Sequence, residues 1–184
     1  MKAIVCTKYG SPDVLQLKEV EKPTPKDDEV LIKVHASSIN DWDWNLLRGN
    51  FQGRNGAFLK PKYKILGSDV AGQIESVGKN VTKFQPGDKV FGDLCGSSWG
   101  CFAEYVCAPE NTLVLKPSKM TFEEAAAIPQ AALLALQGLR DKVKIQKGQK
   151  VLINGAGGGA GSFAIQIAKL FGAEVTGVDS TRKL

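Results

Sequence analysis

The chain has 184 residues, with 24 lysines and arginines against 19 aspartates and glutamates, a net charge of +5, four cysteines and one histidine. A hydrophobic content of 43% with 8% aromatics excludes wholesale disorder, and the 20 glycines, clustered without a period, exclude a collagen-like repeat. No apolar stretch approaches the ~20 residues of a membrane helix, and residues 1–8 lack the long apolar centre of a signal peptide. The expectation is a soluble, cytoplasmic chain of one domain, or of two with one incomplete.

The first two-thirds reads as short strands separated by turns. Residues 2–7 and 15–20 are candidate strands. In residues 29–36, Val30, Ile32, Val34 and Ala36 fall on one face and Lys33 and His35 on the other, the period of a half-buried strand. Residues 69–77 and 88–91 repeat that pattern, joined by turn sequences at Gly78-Lys79-Asn80 and Pro86-Gly87-Asp88. Strands are also expected at 103–107 and 112–116. Many short strands with turn signals between them predict a small barrel or sandwich over residues 1–120.

After Pro117 the character changes. Thr121-Phe122-Glu123-Glu124 is a capping box opening an alanine-rich helix that Pro129 interrupts or kinks. Residues 150–154 form a short apolar strand, and residues 155–161 a glycine run. Residues 160–171 form a helix with Ala164, Ile167, Ala168 and Phe171 on one stripe and Gly172 as its stop. Residues 174–178 are the next strand. Strand, glycine loop, helix and strand open a parallel α/β sheet over residues 121–184, giving a mixed α/β fold class.

Two basic clusters carry little information. Arg54, Lys60, Lys62 and Lys64, interleaved with Phe58 and Tyr63, read as a solvated loop rather than a nucleic-acid surface. Lys142, Lys144, Lys147 and Lys150 read the same way. Cys95, Cys101 and Cys107 are separated by five residues each, which matches no C-x-x-C metal or redox pattern, so reduced thiols are expected.

The chemistry lies in the run Gly155-Ala156-Gly157-Gly158-Gly159-Ala160-Gly161. Strict G-x-G-x-x-G spacing fails in every register, whereas the register from Ala156 gives A-x-G-x-x-G, with Gly158 and Gly161 in place. Gly158 would let the backbone approach a pyrophosphate, and Gly161 would let the helix pack tightly on the strand. The helix N-terminus would then present unpaired N–H groups to the anion. Asp179, 18 residues after Gly161, stands where an acid bonds the adenosine ribose and favours NAD. Ser180, Thr181, Arg182 and Lys183 follow at once, hydroxyls and cations suited to a 2′-phosphate. The balance is expected to lean narrowly to NADP, with NAD as a second cofactor.

Taken together, Ser38-Ile39-Asn40, Gly67-Ser68-Asp69-Val70-Ala71-Gly72, Pro86-Gly87-Asp88-Lys89-Val90-Phe91-Gly92, Phe102-Ala103-Glu104-Tyr105 and the loop from Ala156 to Gly161 carry a family likeness. The chain resembles the medium-chain dehydrogenase/reductase superfamily, in its zinc-independent quinone oxidoreductase (zeta-crystallin-like) branch, and the match runs through its whole length. The resemblance implies a GroES-like β-domain, the first part of a Rossmann domain, and nicotinamide binding in the cleft between them. It further implies that the chain corresponds to the N-terminal portion of a longer enzyme, because family members continue through further Rossmann strands. The exposed edges of so short a parallel sheet point to pairing with a second copy, a homo-oligomer.

In zinc-dependent members of the superfamily, a Cys and a Gly-His-Glu supply metal ligands. Here those places hold Asn40 and Gly67-Ser68-Asp69, and no metal is expected. Without a Lewis acid, quinones and conjugated enones are the easier substrates, because hydride addition leaves a delocalised phenolate or enolate. By resemblance Asn40 lies near the nicotinamide and can contribute an amide donor; read from the residues alone, it equally caps the helix that starts near Trp42. Asn45 stands where the branch places a pocket Tyr, and Leu134 where many members have a Thr. Asn40 and Asn45 are the candidate catalytic residues. Residues 156–161 and Asp179, Ser180, Thr181 and Arg182 are the candidate cofactor contacts. A zinc-free alcohol or aldehyde reductase, or a non-catalytic dinucleotide sensor, is the alternative. The 184-residue piece is expected to be inactive alone.

Overall fold

The computed structural model describes residues 1–50 and 59–182. Arg54 and Phe58 of the first basic cluster, and Lys183, lie outside the described residues. The chain divides into two compact units, Met1–Pro129 and Gln130–Leu184.

In the first unit, alternation of apolar and polar residues builds two antiparallel sheets. Strands β1 (Lys2–Cys6) and β2 (Leu15–Glu19) pair with Ile4 opposite Leu17. Strands β3 (Glu29–Ala36), β4 (Asp69–Val77), β5 (Lys89–Asp93), β6 (Tyr105–Pro109) and β7 (Leu113–Leu115) form a five-stranded sheet in the order β6-β3-β4-β5-β7. β3 carries Val30 and Ile32 into the interior with no exposed surface, while Lys33 and His35 face solvent, as the period-2 reading requires. Those two residues pack with Val70, Ile74, Val90, Leu94, Val106 and Leu113 in one continuous core. The register of β3 against β4 slips between Leu31 and Ile32 and again between Val34 and Ala36. Such bulges bend a strand.

Helix α1 (Asp41–Arg48) covers a second cluster, burying Leu46 and Leu47 against Cys6, Leu66 and Trp99. The capping box at Thr121 forms as read. Thr121 Oγ1 accepts the Glu124 N–H at 3.1 Å, and Glu124 Oε2 accepts the Thr121 N–H at 2.8 Å. It opens the short helix α2 (Phe122–Ala126), whose Ala125 and Ala126 lie against Ala71 of β4. This packing is why the first unit runs past residue 120.

Pro129 does not kink a continuous helix. It starts a new one, α3 (Pro129–Leu136), where its missing N–H costs nothing, and a π-helical turn follows over Gln137–Lys142. In the second unit, β8 (Lys150–Asn154), α4 (Gly159–Leu170) and β9 (Glu174–Val178) form a parallel β-α-β unit, with Ile153 opposite Gly177. Ala168 of α4 is buried, and half-buried Ala164, Ile165 and Phe171 pack with it on Val151, Ile153 and Val175. Ile167, expected on the same stripe, is also half-buried. Gly172, at φ +78°, ends the helix and donates its N–H to the Lys169 carbonyl at 2.9 Å. Among the described residues no helix is long and apolar enough to cross a membrane.

Candidate functional sites in the two units

The glycine loop is fixed by the strand beside it. The N–H groups of Gly155 and Ala156 both donate to the Val178 carbonyl, at 2.8 and 3.1 Å, and Gly158 donates to the Gly155 carbonyl at 3.0 Å. Gly158 is then the extended N-cap of α4, and the first bond of that helix runs from the Ser162 N–H to the Gly158 carbonyl at 2.9 Å. The N–H groups of Gly159, Ala160 and Gly161 precede that bond and point out along the axis. No acidic residue stands in the first turn. Unpaired N–H groups at a helix N-terminus favour anions.

Gly161 is required here. A Cβ at this position would stand 2.0 Å from the Gly155 carbonyl oxygen and 2.9 Å from the Ala156 Cα. Only glycine lets the helix approach the loop this closely, which fits a dinucleotide loop. Asp179, at the end of β9, turns towards this loop. Its Oδ2 accepts the Gly157 N–H at 2.7 Å and its Oδ1 accepts the Ser180 N–H at 2.6 Å. Ser180, Thr181 and Arg182 are exposed. The structure therefore brings Asp179 onto residues 156–161 and leaves the three residues after it on the surface.

In the first unit a buried polar network surrounds Asn40. Asp69 is wholly buried and Asp43 is 3% exposed. Asp69 Oδ2 accepts from Ser38 Oγ at 2.8 Å and from Asn40 Nδ2 at 3.0 Å, and Ser38 Oγ accepts a second contact from Asn40 Nδ2 at 3.2 Å. Ser37 Oγ donates to the Asp69 carbonyl at 2.7 Å. Asp43 Oδ2 accepts the Asn40 N–H at 2.8 Å, and Asp43 Oδ1 accepts the Gly67 N–H at 2.9 Å. Burial pushes the Asp43 carboxyl up from its ordinary value, and the bonds from Asn40 and Gly67 only partly offset this.

A carboxylate can only accept, so the amide nitrogen of Asn40 must be the atom facing Asp69. Both of its donors are thereby used within the network. Asn40 occupies the N-cap position of α1 in a capping box with Asp43, whose Oδ2 accepts the Asn40 N–H. Asn45 is held apart from this network: its Nδ2 donates to Asp41 Oδ2 at 2.7 Å and its Oδ1 accepts from Asn50 Nδ2 at 2.5 Å. The sequence reading missed Ser38 and Asp43 as members of the network. The available signal was Ser38 and Asp43 standing two and three residues from Asn40, and Asp69 at the start of the apolar run Val70-Ala71-Gly72.

His35 is exposed and stacks on Phe122, with ring centroids 4.2 Å apart. All four cysteines are free. Cys101, buried near Asp69, Asp43 and Asp93, has its thiol pushed well above the ordinary range, chiefly by burial. Among the described residues no three His, Cys, Asp or Glu side chains gather as a ligand set for a metal ion.

Residues 26–118 match the alcohol dehydrogenase GroES-like domain. Over its full length the chain is 39% identical to a 2-methylene-furan-3-one reductase of Solanum lycopersicum, covering 48% of that protein. It is 36% identical to a quinone oxidoreductase of Homo sapiens, covering 54% of it. The structure of a quinone oxidoreductase from Coxiella burnetii superposes on 99% of the chain with a TM-score of 0.89 at 36% identity, and the chain covers 57% of it. The chain thus spans about half the length of these relatives. It belongs to the alcohol dehydrogenase GroES-like family, in the quinone oxidoreductase branch of the medium-chain dehydrogenase/reductase superfamily.

Proposed function

We propose that this chain is part of an NAD(P)H-dependent oxidoreductase that reduces quinones or activated alkenes without a metal. The observation that carries the reading is the loop at residues 155–161, anchored to β9 and closed by a glycine that no other residue can replace. The names of the relatives, quinone oxidoreductase and 2-methylene-furan-3-one reductase, support the substrate class.

A bound nicotinamide dinucleotide would supply the hydride. In this reading the N–H groups of Gly159, Ala160 and Gly161 hold its pyrophosphate, Gly158 lets the phosphate come close, and Asp179 meets the adenosine ribose. The finer reading from the sequence sets Ser180, Thr181 and Arg182 around a 2′-phosphate. Asn40 acts as a positioning residue, its two donors committed to Asp69 and Ser38. A developing enolate or phenolate is delocalised, so it needs less help than an alkoxide would, and the proton comes from solvent. The places where a zinc-dependent relative keeps thiolate and imidazole hold amide and hydroxyl, poor zinc ligands. A Rossmann domain, a homo-oligomer and a cytoplasmic setting belong to the same proposal.

Steady-state assay of the longer protein tests it. Quinone-dependent oxidation of NADH or NADPH, unchanged by a chelator, is the expected result. Turnover of aldehydes alone would make it a metal-free carbonyl reductase, and cofactor binding with no turnover would make it a sensor. Residues 1–184 alone are expected to give no turnover, because orienting the nicotinamide supplies much of the rate.

A further inference from the structure

We infer that the end of the second unit remote from the glycine loop docks on the surface of an anionic lipid membrane. This departs from the sequence reading of Lys142, Lys144, Lys147 and Lys150 as a solvated loop, because the fold adds to them. In the parallel β-α-β unit the starts of β8 and β9 and the last turn of α4 share one end. The 12 residues of α4 set that end about 18 Å from the glycine loop. Lys169 and Leu170 close the helix there, and the chain before β8 is pinned beside them. The Gly148 N–H donates to the Gly172 carbonyl at 2.9 Å, and the Glu174 N–H donates to the Gln149 carbonyl at 2.9 Å.

Charge selects the class of partner. Between residues 130 and 182, Arg182 is the one cation outside this end; Arg140, Lys142, Lys144, Lys147, Lys150 and Lys169 belong to it. Its acids are Asp141, which Arg140 holds at 2.6 Å and Lys142 also attracts, and Glu174, 3.9 Å from Lys150. Lys144, Lys147 and Lys169 have no ion-pair partner among the described residues. Lys144 stands at φ +53°, its carbonyl accepting from Gln146 Nε2 at 2.7 Å. Glycine adopts that backbone freely and lysine at a cost, so a cation stands here against the local preference.

The apolar neighbours narrow the class to one. Val143 is 67% exposed and Leu170 is 83% exposed, aliphatic side chains among the lysines. Such groups gain by entering the headgroup boundary of a bilayer while the lysines meet anionic lipid. A nucleic acid would find no exposed aromatic ring at this end on which a base could stack. Docked this way, the unit keeps its glycine loop towards water. None of these observations depends on the proposed reaction.

Sedimentation of the 184-residue chain with lipid vesicles tests the inference, using phosphatidylcholine alone and phosphatidylcholine with one-quarter phosphatidylserine. The chain is expected to sediment with the anionic vesicles, to stay in solution with the neutral ones, and to be released by added salt. Lys144→Glu combined with Lys147→Glu should lower the partition by at least about tenfold, since each lysine near an anionic surface is worth roughly fivefold. Leu170→Gln, which alters no charge, should lower it about threefold or more. Charge reversal at Lys60 and Lys62, in the other basic cluster, should change nothing. All these positions are exposed, and circular dichroism checks that each variant keeps its fold. Equal sedimentation with both vesicle types, none with either, or binding that survives the reversal at 144 and 147 overturns the inference. Tighter binding of a single-stranded oligonucleotide than of anionic vesicles, unchanged by Leu170→Gln, would make this a nucleic-acid surface and overturn it too.

Discussion

The carboxylate of Asp43 in α1 accepts the backbone N–H of Gly67 at 2.9 Å, joining the helix to the segment that leads into β4. Its other oxygen accepts the Asn40 N–H, so one buried side chain fixes both ends of the network around Asn40. Asp43→Ala would leave two backbone donors unsatisfied in the interior. The expected loss is about 2–4 kcal/mol, from donors worth ~1–3 kcal/mol each, less the relief of removing a buried charge. Urea unfolding followed by circular dichroism measures it. The exposed neighbour Asp41, changed to Ala, should cost less than about 0.5 kcal/mol.

Asn40 and Asp69 make a sharper test, because the sign depends on chemistry and not on size. Asn40→Ala removes two hydrogen bonds. Asn40→Asp would instead place an acceptor-only group about 3 Å from the Asp69 carboxylate. The aspartate variant should be the less stable of the two by at least about 1.4 kcal/mol, the equivalent of one pKa unit. The gap should close as the pH is lowered and the new carboxyl takes up a proton. Equal stabilities of the two variants near neutral pH would mean that Asn40 does not face Asp69.

The glycine loop predicts a contrast between neighbours. Gly161→Ala puts a methyl group 2.0 Å from the Gly155 carbonyl oxygen, so the backbone must move. The expected cost is at least about 2 kcal/mol, together with loss of dinucleotide binding. A Cβ at Gly159 would meet only Ala131 Cβ, at an ordinary 3.6 Å. Gly159→Ala should be neutral or stabilising by up to about 1 kcal/mol, with the fold intact. Melting temperatures of the two variants, measured side by side, decide it.

How much of this was legible in the sequence follows the range of the interactions. The strand at 29–36, the capping box at Thr121 and the loop-helix-strand after residue 154 are local patterns, and they sit in the structure where period and caps place them. Pro129 was legible as a break but not as a start, since that depends on what the next turn packs against. The network at Asp69 joins residues 29 and 31 positions apart. No spacing rule predicts that Asp69 takes the Asn40 amide and the Ser38 hydroxyl while Asp43 takes the Asn40 backbone N–H. Asn45 is held by Asp41 of its own helix and by Asn50 just beyond it, contacts that spacings of four and five residues make possible. For Asp179 the sequence supplied the residue and its distance from Gly161, while the direction of the carboxylate needed the fold.

Glu110 supplies a pH dependence. Its Oε2 accepts the N–H groups of Thr82 and Lys83, both at 3.0 Å, and these hold its carboxyl below the ordinary value of 4.5. The folded carboxyl therefore holds its proton less tightly than the unfolded one. Its contribution to stability is complete above 4.5 and is lost as the pH falls through the lower folded value. Wild type should exceed Glu110→Gln in urea midpoint near pH ~7, and the difference should shrink as the pH is taken progressively below 4.5. A difference that stays constant over that range would show that the charge on Glu110 plays no part.

On the function proposed above, the second unit binds a nicotinamide dinucleotide on the loop at residues 155–161. Amide hydrogen exchange of the chain with and without saturating NADH tests it most directly, because the cradle consists of backbone N–H groups. Exchange should slow at Gly157, Gly159, Ala160 and Gly161, and at Ser180 beside Asp179. Unchanged exchange at all five amides, with NADH present in excess, would contradict it.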